Sequence, residues 1–182
     1  MKKIYLLCVL LLSACASSSQ DAKIDIYPSI TASNIGNGVA LSIIVDDARP
    51  TAVIGSTGKN TQITTSQDLA ETIGLALVDA YTKQGFSVSG QSDPNAIKMM
   101  VALEDLSYTK DGSLVTTNVE TRSRVKVDVS EKGFVRTYTN SEERVVPFSA
   151  NEDSNNSQLR SIMERMVEKI INDAELLGVL TR

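Results

Sequence analysis

Residues 97–148 alternate apolar and polar side chains almost throughout, interrupted only by Asp111-Gly112 and Glu131-Lys132-Gly133. A period of two is the strand signature, and connections this short join antiparallel neighbours. The segment therefore predicts three long strands, Ile97–Tyr108, Leu114–Val129 and Phe134–Phe148. In the first, Ile97, Met99, Val101 and Leu103 point one way. In the second, Val125, Val127 and Val129 face a core, while Glu120, Arg122, Arg124, Lys126 and Asp128 face water. The alternation slips at Val145-Val146, which predicts a bulge there. A sheet with one apolar face must bury that face, so the rest of the chain has to supply a second layer.

Two segments have the required stripe. Ser66–Gln84 repeats Leu69, Ile73, Leu77, Ala80 and Tyr81 at helical spacing, with Thr65 or Ser66 as cap and Gly85 as stop. Ser157–Leu180 repeats Ile162, Met163, Met166, Val167, Ile170, Ile171 and Ala174. Upstream, Val39–Asp46 reads as a strand covered on both faces, because Val39, Leu41, Ile43 and Val45 share one face and Ala40 and Ile44 the other. Ile24 and Ile26 before Pro28 suggest a short edge strand over Lys23–Ile30. Gln62–Thr64 and the piece from Phe86 to Val88 read as short extended segments. The expected fold class is α+β: a two-layer sandwich, an antiparallel sheet with two helices packed on one face.

The N-terminus carries different information. Lys2 and Lys3 precede an apolar run from Ile4 to Leu12, closed by Ser13-Ala14-Cys15. The run is too short for a membrane span and has the order of a secretory signal. Leu12-Ser13-Ala14-Cys15 resembles the bacterial lipobox. That resemblance implies a diacylglycerol group on the Cys15 thiol, cleavage before Cys15, and a fatty acyl group such as palmitate on the new amine. Two or more acyl chains anchor a protein stably where one does not. The chain then divides into a lipoprotein signal peptide (1–14), a lipidated Cys15 with a polar linker (15–22), and a single periplasmic domain (23–182). Ala16, where an Asp would favour the inner membrane, points to the outer membrane and its periplasmic face.

Removing residues 1–14 takes away two lysines and no acids, leaving 168 residues with 16 basic and 22 acidic side chains, a net charge of −6. This is a poor balance for nucleic acid. Cys8 leaves with the signal, so Cys15 is the only cysteine of the mature chain and has no disulfide partner within it. Histidine is absent. Soft-ligand metal sites and His-dependent nucleophiles are thereby excluded, and the sequence implies no cofactor and no catalytic set.

Two polar constellations remain as candidate binding residues. Asp46, Asp47 and Arg49 end the strand at Val39–Asp46. As paired carboxylates the two acids could hold a hard cation or act as acid and base; as an Asx turn Asp47 and Arg49 would pair locally. Arg122, Arg124 and Lys126 could contact phosphate or an acidic peptide, or be neutralised across strands by Glu142 and Glu143. Gly55-x-x-Gly58-Lys59 lacks the first glycine of a phosphate loop, and no Ser or Thr follows the lysine directly.

The stretch Leu41-Ser42-Ile43-Ile44-Val45-Asp46-Asp47-Ala48-Arg49-Pro50, followed by Ile54-Gly55, resembles the YajG family of bacterial lipoproteins. Asp47 and Arg49 occupy its Asp-x-Arg positions, and Val101–Tyr108 matches its long Tyr-bearing strand. The resemblance implies the fold and the envelope address and supplies no catalytic residue. The expected role is a non-enzymatic accessory or binding domain with an envelope protein partner. Its rivals are an envelope hydrolase or cell-wall-modifying enzyme using Asp46 and Asp47, and a subunit of a ring or pilus-associated assembly.

Overall fold

The computed structural model describes residues 18–57, 61–89, 93–112, 116–147 and 151–182. The expected signal peptide (1–14), Cys15, Ala16 and the Gly58-Lys59 pair lie outside them. Among the described residues, eight strands and three α-helices follow in the order β1 (Ser18–Asp21), β2 (Ala40–Asp47), β3 (Gly55–Ser56), β4 (Thr61–Thr64), α1 (Leu69–Lys83), β5 (Ser87–Ser89), β6 (Ile97–Gly112), β7 (Thr116–Val129), β8 (Phe134–Pro147), α2 (Glu152–Ile171) and α3 (Ala174–Leu180). No helix among the described residues is long and apolar enough to cross a membrane.

The expected antiparallel two-layer sandwich needs correction. The sheet is mixed and curled into a half-barrel. Four of its described pairings are parallel: β1 with β4, β2 with β5, β2 with β6, and β3 with β6. Antiparallel pairing joins β3 to β4, β6 to β7, and β7 to β8. The reason is the α1 crossover. A helix that returns the chain to the end of the sheet where β2 began leaves the next strands running the same way as β2. The meander β6–β7–β8 agrees with the sequence reading, since its turn signals act locally.

β6 is the spine. Its first half pairs with β2, from Leu41↔Ile97 to Asp47↔Leu103, and farther along the same edge Tyr108 pairs with Gly55 of β3. The other edge pairs with β7 along its length, and the register shifts between Leu103 and Asp105. The irregularity therefore sits at Glu104. At Val145-Val146 the ladder with β7 is regular: Val146 opposes Thr117, and Val145 opposes Asn118 with its side chain in solvent.

Both long helices lie on one face. Leu41, Met99, Val101, Leu103, Val125 and Val127 form a single buried core with Ile73 and Leu77 of α1 and with Ile162, Met163 and Met166 of α2. Asp68 caps α1 by accepting from the Glu71 amide, in place of the expected Thr65 or Ser66 a little upstream. Gly85, at φ 87°, follows the end of that helix. The last stripe is two helices rather than one. It breaks at Asn172-Asp173, where the Asp173 carboxylate accepts from the Glu175 and Leu176 amides and so starts α3.

The N-terminal segment also departs from expectation. Ser18–Asp21 is a strand paired to β4 and belongs to the sheet. The stretch after it has no strand, yet Ala22, Ile24 and Ile26 are buried. Its amides are satisfied by side chains instead: Ile24 N by Gln67 Oε1 at 2.5 Å, Tyr27 N by Glu164 Oε1 at 3.2 Å, and Ser29 N by Glu168 Oε1 at 2.8 Å. The alternation of Ile24 and Ile26 reported burial correctly and ladder pairing incorrectly.

Candidate functional site

Successive residues of a strand project to opposite faces, which decides the fate of the two acids at the end of β2. Asp47 lies in register with Leu103 on the helix side, and Asp46 in register with Ala102 on the outer side. They do not converge as a paired carboxylate. Asp47 instead engages Arg49: Oδ1 accepts from the Arg49 amide (3.3 Å) and Nε (2.8 Å), and Oδ2 from Nη2 (2.7 Å). The Arg49 side chain is only 7% exposed, against 31% for Asp47. The bidentate hydrogen bonds from Arg49 hold the Asp47 carboxyl below its ordinary range. Arg49 Nη1 is buried and has no hydrogen-bond partner among the described residues.

This turn carries the chain from β2 to β3 along the one edge of β6 that they share. Gly55 makes the arrival possible. A Cβ on it would stand 1.9 Å from the Tyr108 carbonyl oxygen, so only a glycine allows the close approach. Tyr108 in turn donates its hydroxyl to Asn155 Oδ1 (2.8 Å), and Asn155 Nδ2 donates to Gln20 Oε1 (2.9 Å). One polar chain thus ties β6 to α2 and to β1.

Arg122, Arg124 and Lys126 share the outer face of β7, as their alternation implies. The expected neutralisation by Glu142 does not occur. Glu142 opposes buried Thr121 on the helix side and is held by Arg144 (2.6 Å) and by Arg165. Burial would raise its pKa, but the two arginines outweigh that and lower it. Glu143 opposes Glu120 across β7–β8. Arg122 pairs with Glu120 of its own strand (2.9 Å), and Ser141 Oγ reaches the same carboxylate (3.2 Å). Arg124 lies between Asp105 and Thr139 in the register. Lys126 borders a shallow depression of about 240 Å³ together with Asp46, Met100 and Asp128. Two of the candidate groups, Asp46 and Lys126, are therefore neighbours of one outer hollow, while Asp47 and Arg49 form a separate locked turn.

A third feature was not anticipated. The segment 25–28 and α1 enclose an open groove of about 390 Å³, lined by Tyr27, Leu75, Ala76 and Asp79 among others. Tyr27 is 77% exposed and Leu75 65%. The signal was present in the sequence: Leu75 and Val78 fall off the Leu69-Ile73-Leu77-Ala80 stripe, on the helix face that points outward. A polar cluster also forms where α3 meets β8. There Asp173 accepts from Tyr138 Oη (2.7 Å) and from Arg136 Nη1 (2.5 Å). Burial, then the bond to Asp173, pushes the Tyr138 phenol upward.

These elements define a small mixed α/β domain whose polar clusters fasten strands to helices, in a chain that opens with a lipobox-like segment. A family model described as "uncharacterized lipoprotein" matches residues 28–181, and the chain belongs to that YajG-like lipoprotein family. No curated protein matches it. Several solved structures are similar at low identity. A putative neuraminyllactose-binding hemagglutinin homolog from Helicobacter pylori matches at 10% identity and TM-score 0.47, over 87% of this chain and 97% of that one. The hypothetical protein CT253 from Chlamydia trachomatis matches at 11% and 0.38, over 79% and 98%. The lipoprotein GNA1162 from Neisseria meningitidis matches at 11% and 0.31, over 75% and 100%.

Proposed function

We propose that this chain is a lipoprotein held on the periplasmic face of the outer membrane by acyl groups on Cys15, where it serves as a non-enzymatic accessory domain that binds an envelope protein. The observation that carries the reading is membership of a lipoprotein family across residues 28–181 in a chain that opens with Leu12-Ser13-Ala14-Cys15. The divergence of Asp46 and Asp47 supports a binding role over hydrolysis, because acid–base work on one bond needs both groups on one side. The exposed groove at Tyr27 and Leu75 and the outer hollow at Asp46 and Lys126 are the surfaces offered to a partner.

Labelled palmitate tests the anchor. Wild type takes up label and loses its signal, and Cys15→Ser does neither; normal processing of that variant overturns the anchor. Density-gradient separation of the two membranes tests the address, with recovery in the inner-membrane fraction counting against it. Crosslinking in intact envelopes, followed by pull-down, tests the accessory role, and recovery of no specific partner refutes it.

A further inference from the structure

We propose that the sheet end at which β1 begins rests on the lipid headgroups, so that the opposite end of the strands stands away from the membrane. The proposal builds on the reading of Cys15 as the lipid anchor and adds an orientation to it. Only Ala16 and Ser17 separate Cys15 from Ser18. Three residue steps reach at most about 11 Å. Ser18 cannot swing to extend that reach, because β1 is built into the sheet opposite Thr61–Thr64. Asp21 fastens the end of the same strand by accepting from the Ser66 amide (2.7 Å) and hydroxyl (2.8 Å).

The surroundings of Ser18 identify which end this is. Thr61, its register partner, accepts from the Thr57 amide, and the Lys110 ammonium donates to the Thr57 carbonyl. Gly112 then pairs with Thr117, and Thr116 with Pro147. Gln20 reaches the Glu152 carbonyl at the start of α2. The end of β6, the start of β7, the end of β8 and the beginning of α2 thus gather beside the tether. From Thr117 to Val129 β7 climbs 12 residues, about 40 Å, to the turn at Ser130–Gly133. That distance is several times the reach of the tether.

Electrostatics gives no reason for the domain to lie broadside. On the outer sheet face Lys98, Arg122, Arg124 and Lys126 are interleaved with Asp46, Asp105, Glu120, Asp128 and Glu143. That face has no excess of cations to hold anionic headgroups.

Single reporter thiols test the orientation. Once Cys15 is acylated the mature chain has no other thiol, so Ser56→Cys and Asp111→Cys label the near end, and Lys132→Cys and Asn95→Cys the far end. All four positions are exposed. The full lipidated protein, with a fluorophore on each thiol in turn, is reconstituted in phosphatidylethanolamine–phosphatidylglycerol vesicles containing a headgroup nitroxide lipid. Intact mass first establishes acylation of Cys15, and circular dichroism establishes that each variant is folded. The expected result is severalfold stronger quenching at 56 and 111 than at 132 and 95. Equal quenching at both ends in acylated protein that floats with the vesicles overturns the orientation and leaves the anchor standing. A mass without acyl groups overturns the anchor and the orientation together.

Discussion

Replacing Asp47 by Ala should destabilise the domain more than replacing its partner Arg49 by Met. The asymmetry follows from burial. The Arg49 side chain is 7% exposed and its Nη1 already lacks a partner among the described residues, whereas the Asp47 side chain is 31% exposed. Asp47→Ala removes three hydrogen bonds and leaves a cation in a place where water reaches it poorly. Breaking a buried pair from one side costs about 3–5 kcal/mol, and partial exposure brings the expectation to about 3 kcal/mol. Arg49→Met leaves a carboxylate that can hydrate, keeps most of the buried stem and removes the orphan Nη1, so about 1 kcal/mol is expected. The double variant should resemble Arg49→Met, recovering about 2 kcal/mol relative to Asp47→Ala. Urea unfolding of residues 16–182, followed by circular dichroism, measures all three; with a slope of about 2 kcal/mol per molar, 3 kcal/mol moves the midpoint by about 1.5 M. If Asp47→Ala costs no more than Arg49→Met, or if the two losses simply add, the reasoning from burial fails.

The remaining predictions use the same assay. Gly55→Ala drives a Cβ into the Tyr108 carbonyl and should cost more than about 3 kcal/mol, whereas Gly178→Ala in α3, with open space around it, should stabilise by about 0.5–1 kcal/mol. Equal effects would show that the β3–β6 approach is looser than described. Tyr108→Phe leaves Asn155 Oδ1 without its donor and should cost about 1–2 kcal/mol; a neutral result would mean that the polar chain through Gln20 does not bind β1 to the core. Acid should weaken the fold in a defined window. Asp21 is lowered from 3.8 to about 2, first by Lys23 and then by Ser66, and Asp47 and Asp173 are lowered as well. A depressed folded pKa gives stability that is fully present above the unfolded value and is lost as pH falls through the folded one, so stability should drop between about pH 4 and pH 2. Asp21→Asn should flatten that drop, and an unchanged slope would remove Asp21 from the account.

What the sequence revealed and what it hid follow from the range of the interactions. The meander β6–β7–β8 was legible because Asp111-Gly112 and Glu131-Lys132-Gly133 set neighbours within a few residues. The helix stripes were legible because period and burial coincide, and Asp47 with Arg49 because an Asx turn is local. The parallel pairing of β2 with β6 was not, since nothing in either strand encodes which distant partner it meets. β1 was hidden because Ser-Ser-Gln-Asp reads as a linker; it is a strand by virtue of Thr61–Thr64 and of Gln20 meeting Asn155. The break before α3 was concealed by a stripe that continues in phase across Asn172-Asp173, where a side-chain cap decided the outcome. Glu142 and Glu143 are adjacent in β8 and so face opposite ways; the register with β7 puts Glu142 opposite Thr121 on the helix side, and no local signal in the sequence fixes that register.

The parallel pairing of β1 has a consequence in time. Ser18 meets a partner 43 residues downstream, and Leu41 one 56 residues downstream, whereas the meander closes through adjacent turns. Because long closures must be made before their contacts reward them, local hairpins condense early and distant parallel pairs late. β1 should therefore be among the last strands to dock. It is also the strand that follows Cys15 in the sequence, so it stays unpaired while the rest of the domain condenses. On the proposed anchoring at Cys15, acyl transfer and clipping would act on a chain whose β1 is still undocked, before the final closure of the sheet.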